Sequence, residues 1–169
     1  EDGLWNRRYT INITPVVRTV VDTLKYDFEN FELEPSAQKY YIWHNEKGNG
    51  TFGNEWANGN PGFRLSRGTA QPDEYPTTPL ANSYDGNGIK LTTCDTGPFG
   101  RMANKRLAAG NLFLCNFDLT KALADALRAT NFGIPFDRKP TMIKGYYKYK
   151  PGQTFQDRNG NAVSGTTDQ

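Results

Sequence analysis

Apolar and polar positions alternate with a period of two in several stretches of this chain, most clearly at residues 141–150, TMIKGYYKYK. On an extended backbone Met142, Lys144, Tyr146, Lys148 and Lys150 fall on one side and Ile143, Gly145, Tyr147 and Tyr149 on the other. The stretch is therefore read as a half-buried strand, its lysines facing water and its Ile143/Tyr147/Tyr149 side facing a core. Shorter versions of the pattern predict strands at residues 9–14 and 16–24, separated by Pro15, and again at 39–44, 62–66, 89–94 and 111–117. The last of these is read as largely buried on both faces.

One helix stands out against these strands. Leu119, Ala122, Leu123, Ala126 and Leu127 recur at helical spacing, Asp118 or Thr120 can cap the start, and Gly133 can stop the end. It is expected to be a crossover helix packed on a sheet edge or end. Residues 45–60, rich in Gly and Asn, and 67–88, which hold several prolines, read as long surface loops. Beyond Pro151 the chain is polar and turn-rich.

Composition sharpens the class. With 169 residues, 17 Gly, 10 Pro and 13% aromatic residues, the chain suits one all-β domain of short strands joined by many turns. A net charge of +2 supplies no basic field for nucleic acid or an anionic membrane. No apolar run approaches the roughly 20 residues a membrane-spanning helix needs. Cys94 and Cys115 lack the C-x-x-C spacing of a zinc site, leaving either a disulfide or two buried thiols. Asp27, Glu29 and Glu32 could hold calcium, although they lack EF-hand spacing and also fit a solvated acidic face. His44, the single histidine, has no nearby nucleophile to complete a catalytic set.

Three short motifs carry a family resemblance: AAGNLF at residues 108–113, FGIPF at 132–136 and KGYYKYKPG at 144–152. With residues 26–33, the Trp56-Ala57-Asn58-Gly59-Asn60 segment and the Tyr75-Pro76-Thr77 turn, they resemble the putative carbohydrate metabolism domain (PCMD) of Bacteroidetes from about residue 24 onward. The resemblance implies a jelly-roll-like antiparallel β-sandwich, here with one short helix, on exported and usually lipid-anchored surface proteins that handle glycans. It carries over no catalytic residues. The family pattern has further strands after residues 157–167. Residues 1–24 are accordingly expected to be N-terminal strands ending a preceding domain. Residues 25–169 are expected to form the carbohydrate-related sandwich, truncated at its C-terminus, with a second chain completing it and any membrane tie made by a lipid anchor outside this chain.

The leading functional expectation is glycan binding without catalysis. Sugars present apolar C–H faces and a rim of hydroxyls, so a binder needs aromatic rings beside amides and arginines. Trp56, Asn58, Asn60, Tyr75, Tyr84 and Arg101, with Trp43 as a second platform, supply that set on the two loops, to meet an oligosaccharide or polysaccharide. The alternatives are a glycoside hydrolase, which needs a carboxyl pair drawn from Asp73, Glu74, Asp85 and Asp95, and a structural or adhesive surface module.

Overall fold

The computed structural model describes residues 25–44, 56–122, 124–125, 128–136, 139–157 and 160–166. The strands expected at residues 9–14 and 16–24, and most of the 45–60 loop, lie outside these. Within them the chain is an all-β protein of short antiparallel strands in several small sheets. Strands β1 (Phe31–Leu33) and β2 (Tyr41–Trp43) form a hairpin in which Phe31 opposes Trp43. Strand β3 (Trp56–Ala57) pairs with β8 (Phe113–Phe117), which also carries β9 (Thr130–Phe132) on its other edge. Strand β4 (Thr77–Leu80) pairs with β5 (Gly88–Leu91), and β6 (Cys94–Asp95) with β7 (Leu107–Ala108).

Two short helices interrupt the strands. Helix α1 (Asn60–Ser66) occupies the place where the sequence suggests a strand at residues 62–66. Pro61 sits at its first positions, where a fixed φ favours helix and the missing N–H costs nothing. Phe63 then turns inward while Leu65 stays at the surface. Helix α2 (Gly97–Met102) likewise starts with Pro98 at its first turn.

The helix expected over residues 119–127 is not formed by its described residues. Asp118 donates its backbone N–H to Ala129 O at 2.7 Å, so β8 and β9 are joined as an antiparallel pair and the connection between them is a hairpin loop, not a crossover. Inside that loop Ala122 N–H reaches back to Leu119 O and Asp125 N–H to Lys121 O, closing isolated turns. The Asp118 carboxylate accepts from Thr120 N and Oγ1 and meets Lys121 Nζ at 2.9 Å. The Thr120 hydroxyl first, then Lys121, hold its carboxyl down at about 2. These local bonds compete with continued helix. Ala122 and Ala129 of this loop are buried.

The loop expected at residues 67–88 is shorter than its prolines suggest. A 3₁₀ turn (Pro72–Glu74) and strand β4 lie inside it, with Pro79 accommodated in a sheet of only two strands. Residues 141–150 form no helix, strand or bridge among the described residues and are exposed throughout. Their alternation encodes two-sidedness, but a strand also needs a neighbouring strand, and no strand pairing involves them among the described residues. Cys94 and Cys115 are free thiols, which settles the choice left open by their spacing.

The core is small and aromatic. Phe63, Ala70 and Tyr75 are buried together, with Tyr40, Cys94 and Ala108 packed against them. Gly110 lets the chain pass close by: a side chain there would meet Pro76 O at 2.3 Å and Thr92 N at 2.6 Å. That approach places Asn111 beside Thr77 and Gly59, where it joins three segments through Thr77 Oγ1→Asn111 O (2.9 Å), Asn111 N→Thr77 Oγ1 (3.1 Å) and Gly59 N→Asn111 Oδ1 (2.8 Å).

Candidate functional site

An open depression of about 450 Å³ lies beside α1, lined by Tyr40, Pro61, Arg64, Leu65, Gly68 and Leu119. Its walls come from the approach to β2, from α1 and from the β8–β9 loop. Its size lies within the range of small-molecule sites, about 300–1,000 Å³.

The turn between β1 and β2 fixes one wall. Glu34 is buried, and its carboxylate accepts from Ser36 N (2.8 Å), Ser36 Oγ (2.5 Å), Ala37 N (3.0 Å) and Lys39 N (3.2 Å). Glu34 N–H donates to Tyr40 O, closing the hairpin, while Gln38 takes a left-handed φ of 53°. Burial pushes the Glu34 carboxyl up, but the donors from Ser36, Lys39 and Ala37 outweigh it and hold it below the ordinary glutamate value. Glu34 is thus an ionised structural anchor.

That sign has a pH consequence. A carboxyl whose folded value is lowered adds stability that is fully present above its unfolded value and is lost as pH falls through the folded one. Glu34→Gln is expected to lower stability by about 1–2 kcal/mol at pH 7, the loss of charge-assisted bonds being of that order. The gap to the parent should narrow as melts are repeated from pH 7 towards pH 3. A constant gap would show that ionisation contributes nothing.

Arg64 projects from α1 beside this anchor, its Nη1 3.5 Å from Glu34 Oε1 and its side chain 38% exposed. At that distance the contact orients the guanidinium without saturating its five N–H donors. Tyr40 packs on Tyr75 with ring centroids 5.7 Å apart, and Tyr75 in turn meets Phe63 edge-on at 5.3 Å. Burial first, then Glu34, push the Tyr40 phenol up; burial likewise raises Tyr75, so both remain protonated. The depression therefore combines an aromatic edge, the apolar sides of Pro61, Leu65 and Leu119, and a guanidinium held in place from behind.

The residues singled out from sequence fall into three groups. Trp43, Asn58, Asn60 and Tyr75 are buried and build the scaffold. Trp43 packs against Phe31 and has no open face, correcting its reading as a platform. Asn60 donates Nδ2 to Thr77 O at 2.8 Å and accepts Thr77 N–H on Oδ1 at 3.2 Å, while Asn58 Oδ1 accepts Asn60 N–H at 2.9 Å. Trp56 is half-buried on β3, with Tyr26 against it edge-on and Phe28 tilted, both at 5.7 Å. Tyr84 and Arg101 are exposed. Tyr84 stacks on Tyr146 with centroids 3.6 Å apart and planes 15° from parallel, and Arg101 Nη2 pairs with Asp95 Oδ2 at 2.7 Å. The structure brings Asn58, Asn60 and Tyr75 together behind the depression, while Tyr84 and Arg101 do not line it.

Tyr40, Arg64, Leu65 and Leu119 are absent from that sequence set. Arg64 was legible only as the one charge in NPGFRLS, and its direction depends on α1 being helical.

The acidic residues are tied into local structure. Glu74 Oε2 accepts Gln71 N at 2.7 Å as part of a capping box, and Arg101 first, then Gly97 N–H, hold the Asp95 carboxyl low. None of Asp73, Glu74, Asp85 and Asp95 lines the depression. Asp27 pairs with Lys25, Glu29 accepts from Asn87 N and Nδ2, and Glu32 meets His44 Nε2 at 2.9 Å. No cluster of three or more His, Cys, Asp or Glu side chains that could hold a metal ion occurs among the described residues.

Comparison with known families decides the lineage. The family model of the putative carbohydrate metabolism domain matches residues 27–169. The chain is a PCMD domain. Among solved structures it is similar to a putative glycoside hydrolase from Bacteroides thetaiotaomicron, at 40% identity and TM-score 0.73, covering 89% of this chain and 43% of that one. It is also similar to a putative glycoside hydrolase from Bacteroides vulgatus, at 39% identity and TM-score 0.72, covering 82% of this chain and 54% of that one. The chain thus spans about half the length of these solved relatives. No curated protein matches it significantly. PCMD membership makes this a carbohydrate-related domain.

Proposed function

We propose that this PCMD chain is a non-catalytic glycan-binding module of an exported bacterial cell-surface protein, tied to the membrane by a lipid anchor elsewhere in the parent. Its small sheets are proposed as parts of a jelly-roll-like sandwich. The observation that carries the binding reading is the depression itself, where an aromatic ring and aliphatic walls flank a guanidinium fixed by a buried carboxylate. A saccharide's C–H face can lie on the Tyr40 and Leu65 side while its hydroxyls accept from Arg64. Glu34, the carboxyl bonded to Arg64, has its oxygens committed to Ser36, Ala37 and Lys39 of its own turn. Tyr84 with Tyr146 provides a further exposed aromatic surface for a longer chain.

The names of the solved relatives favour hydrolysis as a second reading. Titration against a panel of plant and host polysaccharides separates the two. Saturable binding without new reducing ends is expected, with affinity falling at least tenfold in Arg64→Ala and Tyr40→Ala. Release of reducing ends that survives purification and scales with protein would establish the hydrolase instead. Failure of every polysaccharide to bind would remove the module reading.

A further inference from the structure

Among the described residues, Arg64 is the one charged side chain lining the depression beside α1. Its guanidinium meets Glu34 Oε1 through Nη1 at 3.5 Å, and no other polar partner of Arg64 lies among the described residues. A bond of that length is weak, so the planar fork keeps most of its N–H donors for another acceptor. The Glu34 carboxylate does not depend on Arg64, because Ser36, Ala37 and Lys39 already donate to its two oxygens. Cations of neighbouring segments are engaged elsewhere: Lys121 meets Asp118 at 2.9 Å, which also neutralises that carboxylate next to Leu119, and Arg67 reaches Asp95 O at 3.4 Å. No carboxylate lines the depression among the described residues, so its walls do not repel a negative ligand.

The geometry points to an acidic sugar as the occupant, an inference that rests on the glycan-binding reading above: the carboxylate of a uronic acid residue meets the Arg64 fork. A carboxylate offers two coplanar acceptors matched to the guanidinium N–H groups, and such a charge-assisted pair is roughly twice as strong as a bond between neutral groups. Tyr40, whose phenol is kept protonated by burial and by Glu34, brings an O–H donor to the same depression. Leu65 and Leu119 are left to take the C–H face of the ring. The chain's net charge of +2 supplies no strong field for acidic polymers, so the selectivity has to come from this local group.

Titration calorimetry with polygalacturonate, alginate and hyaluronan, each beside its carboxyl-reduced neutral counterpart, tests the ligand class. At least one acidic polymer is expected to bind about tenfold or more tighter than its reduced form, the difference between a charge-assisted and a neutral hydrogen bond. Arg64→Ala should bring the two affinities together, whereas a merely supporting role for Arg64 would weaken both polymers alike. Arg64→Lys keeps the charge without the fork and should retain less than half of the preference. Reduced forms that bind as tightly as the acidic ones overturn the acidic-sugar inference and leave a neutral-glycan module standing. So does a preference that survives in Arg64→Ala, or one shown for dextran sulfate over dextran and for none of the carboxylated polymers. Binding by no polysaccharide at all overturns both.

Discussion

Tyr75→Ala is expected to lower stability by about 3–5 kcal/mol, the range for removing a fully packed aromatic ring. Tyr75 is 2% exposed and lies between Phe63 and Tyr40, so its loss opens the centre of the aromatic core. Tyr75→Phe separates ring from hydroxyl. The phenol oxygen is buried without a hydrogen-bond partner among the described residues, so removing it should leave stability unchanged or slightly higher. Urea denaturation of the two variants checks both statements. A cost below about 1 kcal/mol for the alanine change would mean that the core is not organised on this ring. Tyr40 loses its backing in the same variant, so glycan affinity should fall along with stability.

Asn60→Ala should be nearly as damaging, for a different reason. Asn60 is fully buried, and its amide satisfies both the N–H and the C=O of Thr77. Alanine would strand those two backbone groups, at about 1–3 kcal/mol each. The start of α1 and the start of β4 are joined directly through this side chain, so the helix that carries Arg64 would lose a tether, leaving the bridge through Asn111. Asn60→Asp, which keeps the acceptor and removes the donor, should lie between parent and alanine in thermal melts. An alanine variant melting like the parent would show that the link is dispensable.

What was legible in the sequence followed the range of the interactions. β2, β8 and most of β5 lie within stretches whose alternation marks them as strands, because side-chain period is a local property, whereas β1 falls in a stretch that alternates less cleanly. Residues 62–66 read as a short strand, whereas Pro61 at a first helical position starts the helix it would break further in. The spacing of Leu119, Ala122 and Ala126 suggested helix, but the pairing of Asp118 with Ala129 is a tertiary fact that no local period encodes. At the site, residue type pointed to the Asn58-Gly59-Asn60 and Tyr75 segments. These adjoin lining residues, Asn60 next to Pro61 and Tyr75 against Tyr40, yet as buried supports. Burial reverses the roles: asparagines that look ready for sugar hydroxyls spend their amides on backbone, and Arg64 and Tyr40, inconspicuous in sequence, line the depression half-buried.

The central claim is that a saccharide sits against Tyr40 and Arg64. Amide chemical-shift mapping during titration with a polysaccharide-derived oligosaccharide tests it most directly. Saturating shifts gathered at Tyr40, Arg64, Leu65, Gly68 and Leu119, and abolished by Arg64→Ala, are the predicted result. Saturating shifts confined to other surfaces, with these residues unmoved, would contradict it.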